Sequence, residues 1–552
     1  MIGAACAAAV AASAAPAAPA AAAAPTGSPS PPCYAQLEYV LSGYLDPPLT
    51  DEAYTALAGA NFSGVFGDRT CVYAGGAAKM CTANAKLQAA LCQKHGLRSC
   101  YPGWSSSGTV KLGPAVQGYY LRDEPHRADF KGLAETAAGI HKTQPGAAVF
   151  INLLGGWMGA PGTAAQRKTA MDWWGYATYE EYVDGFIEAV RPDLISFDNY
   201  PQFGDCGWSV RGGDVNRSGD TRDIFLENLQ IINNKSLAAN LSFWNYFDNQ
   251  AQGGSCGPSA GKVAWQMYAA ALHGSRGLLH FLITPCKSPK NCGHYGRRPS
   301  PPPPMLPGGA GGRDEFGLGS GRTDPGYPSI LTPEGNIPFP DFPPYVIAKT
   351  YNSKLKALGP HLMQLRTCSV LVNSSSSRCT MGDCASRCQL YLRATADWNR
   401  SQPLVAPPSL RGWPVANLAP GDYNLALFQK EGAKSGANEA AALMLQNHDA
   451  ANCETYCRTC DGLELLCLAS TDYSCVASPL YSPVLTLARG HTGRWVTVMW
   501  AGAGADGAPP EGVREVDQLD GKAKPLQDAA PHVDGFQIQL GAGEARLYLL
   551  GG

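Results

Sequence analysis

The sequence lacks an excess of charge of either sign: 43 Lys and Arg stand against 45 Asp and Glu, a formal net charge of −2 over 552 residues. Nothing in that balance draws the chain to nucleic acid or to an anionic membrane surface, and a neutral partner fits better. No stretch beyond the N-terminal leader has about 18 or more uninterrupted apolar residues, so no membrane span is expected. There is no G-x-S-x-G elbow, no H-E-x-x-H and no P-loop, which argues against serine hydrolase, zinc protease and nucleotide chemistry. Gly502-x-Gly504-x-x-Gly507 has dinucleotide-fingerprint spacing, but Pro509 and Pro510 follow where a phosphate-binding helix must begin, so it reads as a loop. Histidines such as His126 and His280 stand alone rather than at metal-ligand spacing, and they read as orienting or filling side chains. Neither a cofactor nor a metal is expected.

What is abundant is cysteine, 19 in all. Residues 1–32 are almost entirely Ala, Pro, Gly and Ser, too poor in large apolar side chains to build a core. They are read as a low-complexity or signal-like leader, although the basic n-region is missing and Pro16 and Pro19 interrupt it. Setting Cys6 aside with that leader leaves an even 18, and disulfides are the expected use. The clusters Cys453, Cys457, Cys460, Cys467, Cys475 and Cys379, Cys384, Cys388 lack the second CxxC or HxxxH that zinc needs. Six N-x-S/T sequons, at Asn61, Asn216, Asn234, Asn240, Asn373 and Asn399, are compatible with the same secreted or lumenal compartment.

At 552 residues the chain exceeds what one core usually organises. From residue 34 to about 284, short apolar or β-branched runs alternate with amphipathic helical runs. Strands are expected near 38–41, 64–66, 98–101, 116–121, 148–153, 194–197, 241–247 and 277–282. Eight strands at this spacing predict an α/β fold, a (β/α)8 TIM barrel over 33–365, with a doubly wound open sheet as the runner-up. Pro and Gly dominate 285–344, which reads as a long loop or partly disordered insertion. Short alternating runs then predict a Cys-rich, β-sandwich-like domain over 366–552.

Barrel enzymes carry their chemistry at the C-terminal ends of strands, and three such ends are acidic: Arg122-Asp123-Glu124-Pro125, Asp198-Asn199-Tyr200-Pro201 and Asn245-Tyr246-Phe247-Asp248. Glycoside hydrolysis needs two carboxyl groups, one protonating the departing oxygen and one acting as nucleophile or base. Glu124 is the expected acid, with Asp123 beside it raising its pKa by like-charge repulsion. The bland reading makes Pro125 a helix start and the two acids its N-terminal charges. Asp248 and Asp198 compete as the second carboxylate; capping or substrate hydrogen bonding is the alternative role of Asp248. Asp123, Asn152, Asn199 and Asn245 are candidate substrate-binding groups. Trp104, Tyr200, Trp244 and Tyr246, with Trp157 and Trp208, are candidate stacking surfaces for sugar faces.

These segments carry a resemblance covering roughly 34–366. Gly118-Tyr-Tyr-Leu-Arg-Asp-Glu-Pro125 resembles the acid/base strand of the retaining (β/α)8 glycosidases, in which an Asn-Glu or Asp-Glu pair ends the fourth strand. Asp193-Leu-Ile-Ser-Phe-Asp-Asn-Tyr-Pro201 is similar to the sixth strand of family 42 β-galactosidases. Val263-Ala-Trp-Gln-Met-Tyr268 and Leu272-His-Gly-Ser-Arg-Gly-Leu-Leu-His-Phe281 resemble their last helix and strand. The resemblance implies a carbohydrate substrate, with a β-linked galactoside as one expectation. It also implies a Glu nucleophile at the end of the seventh strand, where this chain has Asp248. Loss of that Glu keeps open a second expectation, an inactive carbohydrate-binding protein.

Overall fold

The structure of the protein is a computed structural model. The residues it describes are 36, 38–44, 46–67, 78–104, 113–156, 164–201, 221–249, 260–284, 330–331, 335–337, 343–373, 404–405, 415–418, 423–430, 442–447, 456–460, 463–468, 486–487, 494–500, 514–526, 530–532, 535–540 and 544–549. The chain divides into two units, Met1–Cys33 and Tyr34–Gly552, and all described residues belong to the second.

The N-terminal half is mixed α/β, centred on a curled sheet of six parallel strands. These are β1 (Val40–Gly43), β2 (Gly118–Asp123), β3 (Ala148–Leu153), β4 (Leu194–Asp198), β5 (Ser242–Asp248) and β6 (Gly277–Phe281), hydrogen-bonded in the order β1-β6-β5-β4-β3-β2. The expected strands at 64–66 and 98–101 are reduced to isolated bridges, one of them Phe66 to Tyr101. Pro102 contributes no N–H to the ladder between 98–104 and β2. Backbone hydrogen bonds nevertheless run through both segments. Ser63 N–H donates to Leu41 O (2.7 Å), Tyr101 N–H to Val65 O (2.9 Å) and Trp104 N–H to Tyr120 O (3.0 Å). Gly64 permits the approach, since a Cβ there would lie 1.7 Å from Ser99 O.

Helices α1 (Asp51–Gly59), α2 (Ala78–Lys94), α3 (Phe130–Thr143), α4 (Ala164–Trp174), α5 (Tyr179–Val190), α6 (Arg222–Ala239), α7 (Ala260–Leu272) and α8 (Pro343–Leu362) accompany the strands. α5 starts where the sequence dictates: Thr178 and Glu181 form a capping box, and Arg191 closes the helix in the left-handed conformation. Strand residues alternate between two cores. Val40, Phe66, Tyr101, Tyr120, Phe150, Trp244, Tyr246 and Leu279 fill one face, while Leu41, Val149, Ile151, Ile195, Phe197, Phe243 and Phe247 pack outward in a core shared with the helices. Burial on both faces explains why these strands read as nearly continuous apolar runs.

Cys92 and Cys100 form a disulfide that ties α2 to the 98–104 segment. Of the other expected cysteine clusters, Cys457, Cys460 and Cys467 lie on described strands; Cys379, Cys384, Cys388, Cys453 and Cys475 lie outside the described residues. Most of 285–344 also lies outside them, although Ile330 and Leu331 are buried and Leu331 N–H donates to Ile283 O (2.8 Å).

The described C-terminal strands are all antiparallel. Leu365–Asn373, Tyr423–Lys430, Ala442–Asn447, Ala545–Leu549, Arg514–Val516 and Ala523–Pro525 form one six-stranded sheet; five-stranded and three-stranded sheets account for the rest. Every residue of α7 is buried. That helix and α8 share a core with Val370, Ala426, Phe428, Met444 and Leu547, so the C-terminal sheet covers the face that α7 turns away from β5. No helix among the described residues is long and apolar enough to cross a membrane.

Candidate functional site

The C-terminal ends of β2, β3 and β4 assemble a carboxylate cluster, and two irregularities in β2 make it. Tyr120 pairs with Phe150 and Asp123 with Asn152, so three steps along β2 match two along β3. This extra residue, a β-bulge at Leu121, breaks the period of two. It puts Tyr120 and Asp123 on the same inner face, whereas a regular strand pairs Tyr120 with Arg122. Glu124 then adopts φ +44°, a left-handed conformation rare for a residue with a side chain, while its N–H donates to Asn152 O (2.8 Å). Through these two departures adjacent acids, which a regular strand sends to opposite faces, meet in one place.

Asp123 accepts from Asn152 Nδ2 (3.0 Å) and from the Tyr44 hydroxyl, and Ser196 Oγ donates to Asn152 Oδ1 (2.9 Å). Glu124 is exposed and its carboxyl is in hydrogen-bond contact with Asp198, which is only 4 % exposed beneath it. Desolvation pushes Asp123 up to about 7; the neighbouring Glu124 adds to the rise, and bonds from Asn152 and Tyr44 oppose it. Burial raises Glu124 as well, opposed by its bond to Asp198. Asp198 is driven well above the carboxylate range, first by desolvation and then by the charges of Glu124 and Asp123. Its Oδ1 has no hydrogen-bond partner among the described residues. Three acids with elevated affinity for protons, one of them accessible, make a site able to deliver a proton to a bound molecule.

Close backbone packing fixes the cluster. Gly155, just after β3, lies so near the end of β4 that a Cβ there would stand 2.0 Å from Asp198 O. Tyr182 on α5 donates to Pro125 O (2.6 Å) and anchors the turn behind Glu124.

The other expected residues divide. Asp248 ends β5 opposite Phe281 and is 4 % exposed. Its main chain is clamped by one side chain: Gln266 Oε1 accepts from Asp248 N–H and Gln266 Nε2 donates to Asp248 O, both at 2.9 Å. Asp198, the other expected second carboxylate, ends β4 as a hydrogen-bond partner of Glu124. Asn199 and Tyr200 are buried after β4, with the Tyr200 ring 5.0 Å from that of Phe281. Tyr246 lies on the inner face, edge-on to Tyr44 at 6.3 Å.

Three further expected residues are packed against the cores. Asn245 shares its register with Phe197 and Leu278, both in the outer core, so alternation turns it toward the helices and away from the cluster. Trp244 is fully buried among Phe66, Tyr101 and Phe150, with Nε1 donating to Gln36 Oε1 (3.2 Å), and is core rather than a sugar platform. Trp104 packs edge-on against Tyr119, whose side chain belongs to the outer core. Trp157 and Trp208 lie outside the described residues. His280 fills the space beside Phe62 and Phe247, with Nε2 donating to Asn352 Oδ1 (2.9 Å), and burial lowers its pKa to about 4.

Sequence reasoning missed Tyr44, Tyr182 and Ser196. Ser196 was within reach, because it stands two residues before Asp198 and shares its face. Nothing local to Tyr44 or Tyr182 announces a contact with residues about 80 and 57 positions away in the chain. Among the described residues, no group of three or more His, Cys, Asp or Glu side chains is arranged to hold a metal ion.

No protein-family profile and no curated protein matches the chain. Among solved structures, the chain is similar to a provisionally assigned α-L-fucosidase from Bacteroides thetaiotaomicron VPI-5482, at 13 % identity and TM-score 0.30, over 50 % of this chain and 94 % of that one. It is similar to an endo-β-1,4-mannanase from Thermotoga petrophila at 9 % identity and TM-score 0.32, over 58 % and 77 %. It is similar to a β-galactosidase from the Antarctic haloarchaeon Halorubrum lacusprofundi at 14 % identity and TM-score 0.24, over 42 % of this chain and only 26 % of that one. All three bear the names of glycoside hydrolases.

Proposed function

We propose that this chain is a glycosidase in which Glu124 serves as general acid and base. The observation that carries the reading is the cluster of Asp123, Glu124 and Asp198, with one accessible carboxyl set over two less accessible ones that bind protons tightly. In this reading a sugar lies against Glu124, which protonates the departing glycosidic oxygen and later takes a proton from water. Asp248 is the second carboxylate. The Gln266 clamp on its main chain supplies the fixed backbone that a side chain one methylene shorter than Glu needs. Asp123, held by Asn152 and Tyr44, orients the sugar hydroxyls nearest Glu124.

The finer parts of the reading have their own supports. A closed (β/α)8 barrel is favoured by the backbone hydrogen bonds that lead from β1 through 63–67 and 98–104 to β2. A β-galactoside substrate is favoured by the strand resemblances, and a secreted or lumenal location by the cysteine count and the sequons.

Hydrolysis of a panel of aryl β-glycosides and polysaccharides, run beside Glu124→Gln and Asp248→Asn, tests the reading. Turnover that drops by roughly 10²–10⁴ in Glu124→Gln on unactivated substrates is the expected result. The absence of Glu at the end of β5 favours one rival, a carbohydrate-binding protein without turnover. Sugar binding with no hydrolysis of any substrate would establish that rival.

A further inference from the structure

We propose that Asn240, on the turn that joins α6 to β5, carries an N-linked oligosaccharide, and that the sequon at Asn61 stays bare in the folded protein. The inference is independent of the glycosidase reading and rests on the proposed secreted or lumenal location. Four of the six sequons begin at described residues, namely Asn61, Asn234, Asn240 and Asn373, and the side chain of Asn373 lies outside the described ones. An oligosaccharide is bulky and strongly hydrated, so the finished fold accepts it only where the asparagine amide stands at the surface. By that criterion the other three sites separate. Asn240 follows α6 in the left-handed conformation (φ +55°, ψ +44°), which Asn tolerates better than most residues with a side chain. Backbone bonds alone close its turn: Asn240 N–H donates to Leu237 O (3.3 Å) and Leu241 N–H to Ser236 O (2.8 Å). The Asn240 side chain is exposed, and among the described residues no hydrogen bond or ion pair engages it.

The rival sites are committed elsewhere. Asn61 is also left-handed, at φ +58°, but it is half-buried, and its Nδ2, the atom that would take the sugar, donates to Ser353 Oγ on α8 (2.8 Å). Ser63, the hydroxyl residue of that sequon, is buried, with Oγ accepting from Leu41 N–H (2.8 Å). A sugar on Asn61 must therefore enter the seam between α8 and the turn after α1. Asn234 lies within α6, half-buried, and its Oδ1 accepts from Gln230 Nε2 (2.8 Å), while the adjacent Lys235 pairs with Asp184 on α5 (2.6 Å). Ser242, the hydroxyl residue of the Asn240 sequon, is the first residue of β5, whereas the carboxylate cluster sits at the C-terminal ends of the parallel strands. From Ser242 to Asp248 at about 3.3 Å per residue is about 20 Å, so a sugar at Asn240 is attached at the opposite edge of the sheet. The transfer uses an oligosaccharide carried on a polyprenyl diphosphate and an oligosaccharyltransferase. Asn240 Nδ2 bonds to the anomeric carbon, the bond from that carbon to the diphosphate oxygen breaks, the amide gives up one proton, and polyprenyl diphosphate departs.

The test is to route the full chain into the endoplasmic reticulum of a eukaryotic host behind an added signal peptide. Lumenal chains, secreted or retained, are then treated with a peptide N-glycanase in heavy-oxygen water, which converts each glycan-bearing Asn to labelled Asp, and are mapped by mass spectrometry. The expected result is label at Asn240 and unlabelled Asn at 61. Ser242→Ala destroys the sequon without touching the left-handed turn, and Asn240→Gly removes the acceptor while keeping a residue that accepts φ +55°. Each variant is expected to lose the mass of one glycan from the intact chain. Unlabelled Asn240 in the lumenal chains overturns the proposal, as does label at Asn61 in folded, secreted protein, or an unchanged intact mass in both variants. The same mapping on the protein from its own cells separates the two readings: label at Asn240 in the host with none in the native protein leaves the site standing and overturns the secreted or lumenal location.

Discussion

Glu124 stores conformational cost at the residue proposed as acid and base. A side-chain-bearing residue at φ +44° gives up about 1–2 kcal/mol relative to a right-handed one, and only glycine escapes that cost. Glu124→Gly and Glu124→Ala both lose the carboxyl, so their comparison isolates the backbone. The glycine variant is expected to be more stable by about 1 kcal/mol in urea denaturation, with neither variant turning over unactivated substrate. Equal stability would mean that Glu124 relaxes out of the left-handed region. The acids beside it also oppose folding at neutral pH. Asp123 has a folded-state pKa of about 7 against an ordinary value of 3.8, so the folded chain holds a proton that the unfolded chain releases. Its contribution is fully present below about pH 4 and is lost as pH rises toward 7. Asp123→Asn is therefore expected to flatten the fall in stability across that window, read from denaturation midpoints at pH 4.5 and 7.5.

Elements carry the site through close contacts that tolerate no added atoms. Gly155→Ala inserts a Cβ 2.0 Å from Asp198 O, and the end of β4 must move to accept it. A stability loss of about 1–3 kcal/mol is expected, together with a fall in kcat larger than the change in KM. Gln266→Leu removes both hydrogen bonds to the Asp248 main chain and is expected to cost about 2–3 kcal/mol in thermal or urea unfolding. Element scale is also where the sequence was most legible. Six of eight expected strands form a parallel sheet, since apolar runs bounded by helical periods leave little choice. The other two shrink to isolated bridges, and beside 98–101 the sequence offers Pro102, whose effect depends on which neighbour needed its N–H. Glu124, Asp123 and Asp198 are candidates in the sequence because each stands at the end of an apolar run. The contact between Glu124 and Asp198 was not legible, because it depends on an extra residue at Leu121 and a left-handed φ at Glu124, neither of which has a compositional signature. The facing of Asn245 was not legible for a related reason: in a strand buried on both faces, hydropathy does not reveal which parity looks inward.

Across the whole molecule, α7 lies between the parallel sheet and the C-terminal sheet, buried at all of its positions. Gln446 Nε2 donates to Trp265 O and Thr367 Oγ1 to Leu272 O, each at 2.9 Å, so polar bonds as well as apolar packing join the two halves. Calorimetry of the full chain is expected to show these halves unfolding in one transition, and a chain ended after residue 364 is expected to be insoluble or to bind hydrophobic dyes. Two separated transitions would instead mean that the boundary expected near 365 also divides their stabilities. The same arrangement sets an order of events at the ribosome. Helix α7 is complete at Leu272, whereas the last strand of the sheet that covers it ends at Leu549. At about 5–20 residues per second that interval lasts on the order of 10–60 s. Throughout it the nascent chain carries a greasy helix face with nothing yet made to cover it, so yield in a foreign host is governed by chaperone supply during elongation as much as by the stability of the finished protein.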